Sequence, residues 1–387
     1  METGPASLIE RQSRSPAVRV ISVLALLFAF LLGIKGLGEG FELLGSDVLD
    51  SFFTATENPF VGLIVGLLAT TVMQSSSVTT AMVVALVAAP ENALPLANAV
   101  PMIMGANMGT TITSTIVSLA HAGRQEEFRR AFPVAVCHDF FNLIAVLVLL
   151  PLELMTGYLR RTAIVLASVV EGVGGVTYTS PLKTALGNGL APLEALGRSL
   201  FSAQAGQAVF LIVASGLLIF SSLYLLVKVM RAAAHGRVEV MVTGVLDSSA
   251  LLSIFIGLIV TVMVQSSSIT TSLLVPLAAA GLLTLPQAFP ITLGANLGTT
   301  VTAFLAALAV SGPNAAAGLE IALVHLLFNL SGIALVYPVA AIRQVPLRLA
   351  LALTRVALRS TKLVVAWIVG VFYGLPAAVL LISRWLN

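Results

Sequence analysis

Residues 72–80 read VMQSSSVTT, and residues 263–271 read MVQSSSITT. Each glutamine and its serines interrupt an apolar run, where unpaired polar groups are costly. One arm runs from Pro59 to Met73 and a second continues to Ala89; the later copy has arms 249–264 and onward to Gly281. Arms of about 15 residues make only ~22 Å of helix, against ~30 Å of bilayer hydrocarbon. Each pair of arms therefore reads as one overlong kinked helix or as a re-entrant helical hairpin turning at the serines, and the hairpin is the preferred reading.

The surrounding chain supplies the solvent. Of 387 residues, 58% are hydrophobic and 10% charged, with a mean hydropathy of +1.03. That balance specifies an all-α integral membrane protein, because lipid offers the backbone no hydrogen bonds and helices satisfy their own. The long continuous apolar runs do not alternate as barrel strands do. A net charge of +3, with basic residues scattered over short loops, excludes a nucleic-acid-binding face. The single cysteine, Cys137, excludes an intramolecular disulfide.

Arg11, Arg14 and Arg19 precede the first apolar segment, and Glu39, Glu42, Asp47, Asp50 and Glu57 follow it. The basic flank places the N-terminus in the cytoplasm, with the first helix retained in a multi-pass protein of the cytoplasmic (inner) membrane. The expected organisation is a tail 1–17, a first repeat 18–172 with its hairpin at about 59–90, a linker 173–204, a second repeat 205–383 with its hairpin at about 248–281, and a tail 384–387. Crossings at 96–119 and 287–310 are expected to be broken at their internal glycines. Residues 151–204 read as an amphipathic arm followed by an extracellular linker.

Three polar motifs recur in order. Gln74-Ser75-Ser76-Ser77-x-Thr79-Thr80 matches Gln265-Ser266-Ser267-Ser268-x-Thr270-Thr271. Gly105-Ala106-Asn107-x-Gly109-Thr110-Thr111 matches Gly294-Ala295-Asn296-x-Gly298-Thr299-Thr300. His138-x-x-Phe141-Asn142 matches His325-x-x-Phe328-Asn329, and Asp139 occurs in the first copy alone. The first half starts inside and the second outside, so the two are expected to be inverted-topology repeats whose interrupted helices meet at one midplane site.

The motifs carry hydroxyls, amides and helix starts, but no nearby Lys or Arg. Free N–H groups at helix starts suit an oxyanion. Amide and backbone carbonyls suit a hard cation. Hydrogen bonds to a charged group contribute only ~1.5–3 kcal/mol each, less than a buried divalent anion requires. Co-bound sodium ions supply the deficit.

At these residues the sequence resembles the type II sodium-dependent phosphate cotransporter family, in a bacterial form without the long disulfide-bearing loop of animal members. The paired QSSS and GANxGTT motifs carry the resemblance across roughly residues 20–340. It implies a sodium-driven phosphate importer with alternating, elevator-like access, whose ligands are Gln74, Ser75, Ser76, Ser77, Gln265, Ser266, Ser267, Ser268, Asn107, Thr110, Thr111, Asn296, Thr299 and Thr300. The expected division gives the six serines to phosphate and the Gln, Asn and Thr residues to sodium. Sodium is co-transported, with no organic cofactor and no transition metal. Partners are phosphate, sodium and the bilayer, and the reading admits a homodimer. Another small oxyanion, sulfate or arsenate, is the alternative cargo; a hydroxyl-lined channel is a further alternative. An intramembrane serine hydrolase is disfavoured, because no G-x-S-x-G occurs and such an enzyme would not need two equivalent serine clusters.

Overall fold

The computed structural model describes residues 16–44, 53–90, 93–174, 181–234, 240, 242, 249–310 and 313–386. The outer parts of both expected tails, and residues 175–180 of the expected linker, lie outside these residues.

Among the described residues the chain is helical, with no strand. In order the helices are α1 (Pro16–Leu44), α2 (Pro59–Met73), α3 (Ser76–Val87), α4 (Leu96–Gly109), α5 (Ile112–Leu119), α6 (Gln125–Thr156), α7 (Tyr158–Gly174) and α8 (Pro181–Leu200). Then come α9 (Gln204–Ala234), α10 (Ala250–Val264), α11 (Ser267–Ala279), α12 (Leu285–Ala309), α13 (Ala315–Val336), α14 (Ala340–Ala357), α15 (Thr361–Val369) and α16 (Leu375–Leu386), the last two joined by a π-helical turn at Gly370–Gly374. Among the described residues six segments are long and apolar enough to cross a membrane: Ala17–Leu44, Gln125–Thr156, Gln204–Val229, Leu285–Ala309, Ala315–Val336 and Lys362–Leu381. Pro59–Met73, Ser76–Val87, Ala250–Val264 and Ser267–Ala279 are apolar but short.

Packing repeats with the sequence. α2 lies along α4 as α10 lies along α12. Each return arm crosses to the other half: α3 packs on α12 and α13, while α11 packs on α5 and α6. The amphipathic helices exchange likewise, α7 onto α13 and α14 onto α6. α1 and α9 form a closely packed pair.

Close approach explains four glycines. A Cβ at Gly66 would collide with the Met102 carbonyl, and one at Gly105 with the Leu63 carbonyl. The matching positions Gly257 and Gly294 meet the Ile291 and Ile254 carbonyls in the same way. Two helices touch backbone to backbone there, a contact that gains dispersion without needing a hydrophobic drive between helices in lipid.

Two expectations change. The first GANxGTT segment breaks its helix, with α4 ending at Gly109 and α5 starting at Ile112, where the Thr111 amide turns to the Met108 carbonyl. The second does not: α12 runs unbroken through Gly294–Thr300. Glycines that serve close packing do not by themselves interrupt a helix. The stretch read as a linker contains α8. Pro181 sits at its start, where a missing N–H costs nothing, and its own Leu186 and Leu190 are fully buried.

Candidate functional site

Each hairpin turns on two residues with opposite tasks. Gln74 has φ 53° and ψ 27°, and Gln265 has φ 56° and ψ 29°. These are the non-glycine residues with positive φ among those described, a left-handed state that costs a bulky side chain energy. The cost is offset locally: Gln74 Nε2 donates to the Thr71 carbonyl at 2.6 Å, and Gln265 Nε2 to the Val262 carbonyl at 2.7 Å. Each glutamine thereby closes the C-terminus of its arriving helix. The next residue opens the departing one. Ser75 and Ser266 are extended, and their Oγ atoms accept from the amides of Val78 and Ile269, both at 3.3 Å. The amides of Ser76, Ser77, Ser267 and Ser268 then occupy the first turn of α3 and α11, where helix geometry provides no intrahelical acceptor.

The arms of each hairpin are tied by one hydroxyl pair. Thr70 Oγ1 donates to Thr79 Oγ1, and Thr261 Oγ1 to Thr270 Oγ1, each at 2.9 Å.

The two tips open on one cavity of about 780 Å³. From the first hairpin it is lined by Gln74, Ser75 and Ser77, and from the second by Gln265, Ser266 and Ser268. Thr113 of α5 joins them, and α9 closes the opposite wall with Phe220, Leu223, Tyr224, Val227 and Lys228. The halves also touch directly, Ser77 Oγ donating to Thr302 Oγ1 at 3.4 Å. Ser76 and Ser267 are buried outside the lining, 4% and 2% exposed.

The tips are not equivalent in bonding. Gln74 Oε1 accepts from Thr113 Oγ1 at 3.0 Å. Gln265 Oε1 is buried without a hydrogen-bond partner, leaving a carbonyl dipole free.

The other expected ligands lie elsewhere. Asn107 and Asn296 do not line the cavity; they form a buried cluster with His138, Asn142, His325 and Asn329. His138 Nε2–H donates to Asn296 Oδ1, and His325 Nε2–H to Asn107 Oδ1 at 3.3 Å. Asn142 Oδ1 accepts from Asn107 Nδ2 at 3.0 Å and from Asn296 Nδ2 at 2.9 Å, while Asn107 Nδ2 also reaches Asn329 Oδ1 at 3.2 Å. Each histidine grips the asparagine of the other half. Thr110, Thr111, Thr299 and Thr300 donate to carbonyls one turn back, those of Ala106, Met108, Asn296 and Leu297. Asp139, whose counterpart is Leu326, lies beside Thr111.

Four contributors escaped the sequence reading. Thr113 and Thr302 occupy the same place in GTTxT of both copies, so extending the motif comparison by two residues finds them. Lys228 and Tyr224 carry no such signal, being far along the chain from either tip.

The Na+/Pi-cotransporter family profile matches residues 29–176 and 217–375, one block in each half. Sodium-dependent phosphate transport protein 2B of Bos taurus is 32% identical over 448 residues, covering 93% of this chain and 64% of its own length. Protein 2A of Rattus norvegicus is 32% identical over 462 residues, covering 98% of this chain and 72% of its own length. Protein 2A of Mus musculus is 33% identical over 441 residues, with 95% and 68% covered. The chain thus spans about two thirds of the length of these relatives. No solved structure matches it. With both halves matched, most of the chain covered and the duplicated glutamine–serine turns in place, this protein belongs to the Na+/Pi-cotransporter family.

Proposed function

We propose that this protein is a symporter that imports inorganic phosphate with sodium across the cytoplasmic membrane. The observation that carries this reading is the convergence of the two QSSS turns on one cavity. The relatives' names, sodium-dependent phosphate transport proteins, supply the cargo.

In this reading the hairpins are re-entrant, entering from opposite faces of two inverted repeats, with the N-terminus in the cytoplasm. Phosphate is held by the hydroxyls of Ser75, Ser77, Ser266 and Ser268 and by the first-turn amides of α3 and α11, including those of Ser76 and Ser267. Two helix starts contribute roughly half a positive charge each, less than a divalent anion carries. Sodium makes up the difference at the carbonyls of Gln74 and Gln265, the latter already unpartnered. Asn107 and Asn296, bonded to His325, Asn329, Asn142 and His138, join the two halves beside this site. Alternating access follows when the two hairpins move as a body against the α1–α9 pair.

The test is radiolabelled phosphate uptake into proteoliposomes with sodium or potassium outside. Uptake that needs sodium and falls at least tenfold in Ser77→Ala or Ser268→Ala supports the reading. Uptake at equal rates in potassium contradicts it. Sulfate or arsenate that outcompetes phosphate assigns the carrier to the alternative oxyanion.

A further inference from the structure

The cavity wall opposite the tips holds a charge that the motifs lack. Phe220, Leu223, Tyr224, Val227 and Lys228 fall at i, i+3, i+4, i+7 and i+8 along α9, hence on one helix face. Lys228 is the charged side chain among the cavity-lining residues, and it is exposed. Among the described residues no ion pair engages it: the pairs found are Lys35–Glu39, His121–Glu127, Arg124–Glu127, Arg129–Glu126 and Arg198–Glu194. Its neighbours across the cavity, from α2, α3, α5, α11 and the two turns, are glutamine, serine, threonine and apolar residues.

α9 belongs to the closely packed α1–α9 pair. A Cβ at Gly33 would press on Ile219 and one at Gly40 on Ile212, so α9 is seated firmly on α1. The serines and Lys228 therefore sit on different parts of the fold, the serines on the hairpins and the lysine on the wall they face.

We propose that Lys228 is the specificity-determining cation of the cavity: it draws the phosphate oxyanion to the glutamine–serine turns and raises its affinity while the cavity is open toward α9. This rests on the function proposed above and adds a residue that no motif names. A lysine on a flexible stem acts at a distance as a point charge and leaves the bonding shell to the hydroxyls and amides. Its influence is electrostatic, and two consequences distinguish it from a structural role. The effect follows the sign of the charge at position 228. It also fades as salt shortens the screening length to below ~8 Å.

The experiment is equilibrium binding of radiolabelled phosphate to purified protein at saturating sodium, for wild type, Lys228→Arg, Lys228→Gln and Lys228→Glu. Ionic strength is varied with choline sulfonate at fixed sodium. A unit charge about 8 Å from a divalent anion in water interacts by about 1 kcal/mol, which changes affinity about fivefold. The expected order is wild type equal to Lys228→Arg, about fivefold weaker binding in Lys228→Gln, and a further step of similar size in Lys228→Glu, with the Lys228→Gln affinity insensitive to salt. Sodium half-saturation, read separately, stays within twofold across the series. A flat series in protein that still binds phosphate overturns the role of Lys228 alone. Failure of the wild type to bind phosphate with sodium overturns the function it rests on.

Discussion

Replacing Asn142 by alanine removes the centre of the buried amide cluster. Its Oδ1 accepts from Asn107 at 3.0 Å and Asn296 at 2.9 Å, and its Nδ2 donates to the Asn107 carbonyl at 3.3 Å. Asn107 Nδ2 keeps Asn329 as an acceptor. Asn296 Nδ2 and the Asn107 carbonyl, at the end of α4, lose their partner. Two orphaned buried groups cost roughly 1–3 kcal/mol each in a protein interior. Interhelical hydrogen bonds in bilayers average about 0.6 kcal/mol with a maximum near 1.7. The lower scale applies here, and three lost bonds sum to about 2 kcal/mol. Equilibrium unfolding in mixed micelles, run as a double-mutant cycle with Asn296→Ala, measures the shared bond directly. The expected coupling is at least ~0.6 kcal/mol, because the two single changes delete the same contact. Additivity within ~0.3 kcal/mol would show that the cluster does not join the halves, and the positioning argument for both asparagines would fail.

Three further outcomes follow from the geometry. Gly105→Ala and Gly294→Ala place a methyl group against a facing carbonyl and should abolish monodisperse protein, whereas Gly216→Ala, whose Cβ meets nothing within 4 Å, should leave size-exclusion behaviour unchanged. Thr70→Val and Thr261→Val delete equivalent hydroxyl ties and should lower stability by matching amounts of about 0.5–1.5 kcal/mol; unequal losses beyond 1 kcal/mol would show that the hairpins are not built alike. Thr113→Val frees Gln74 Oε1, so sodium half-saturation for uptake should change in this variant, and an unchanged value would show that the bond does not set the glutamine's availability.

How far the sequence foretold this arrangement depended on what each residue answers to. The paired short helices meeting at the glutamine–serine turns were legible because the same polar interruption of an apolar run occurs twice in order. The left-handed glutamines were not. Nothing local favours Gln in that state, and its stability comes from a side chain folding onto a carbonyl three residues earlier. Asn107 and Asn296 read as ion ligands through the family resemblance; in the structure their amides bond His325, Asn329, Asn142 and His138, residues already visible as the third repeated motif. The helix break was foretold in both copies and occurs in one, since glycine packing and helix interruption leave the same residues in the sequence. α8 was hidden by Pro181, Pro192 and its glycines, which punctuate loops as readily as they allow close helix contacts. Lys228 entered the cavity through tertiary packing alone.

The central claim is that the two halves build one binding site between them. Phosphate-binding stoichiometry at saturating sodium tests it, in wild type, Ser77→Ala and Ser268→Ala. One phosphate per chain in the wild type, with binding lost in each single variant, is the predicted result. Retention of half the wild-type sites in either variant would mean that each turn binds on its own, and would contradict the account.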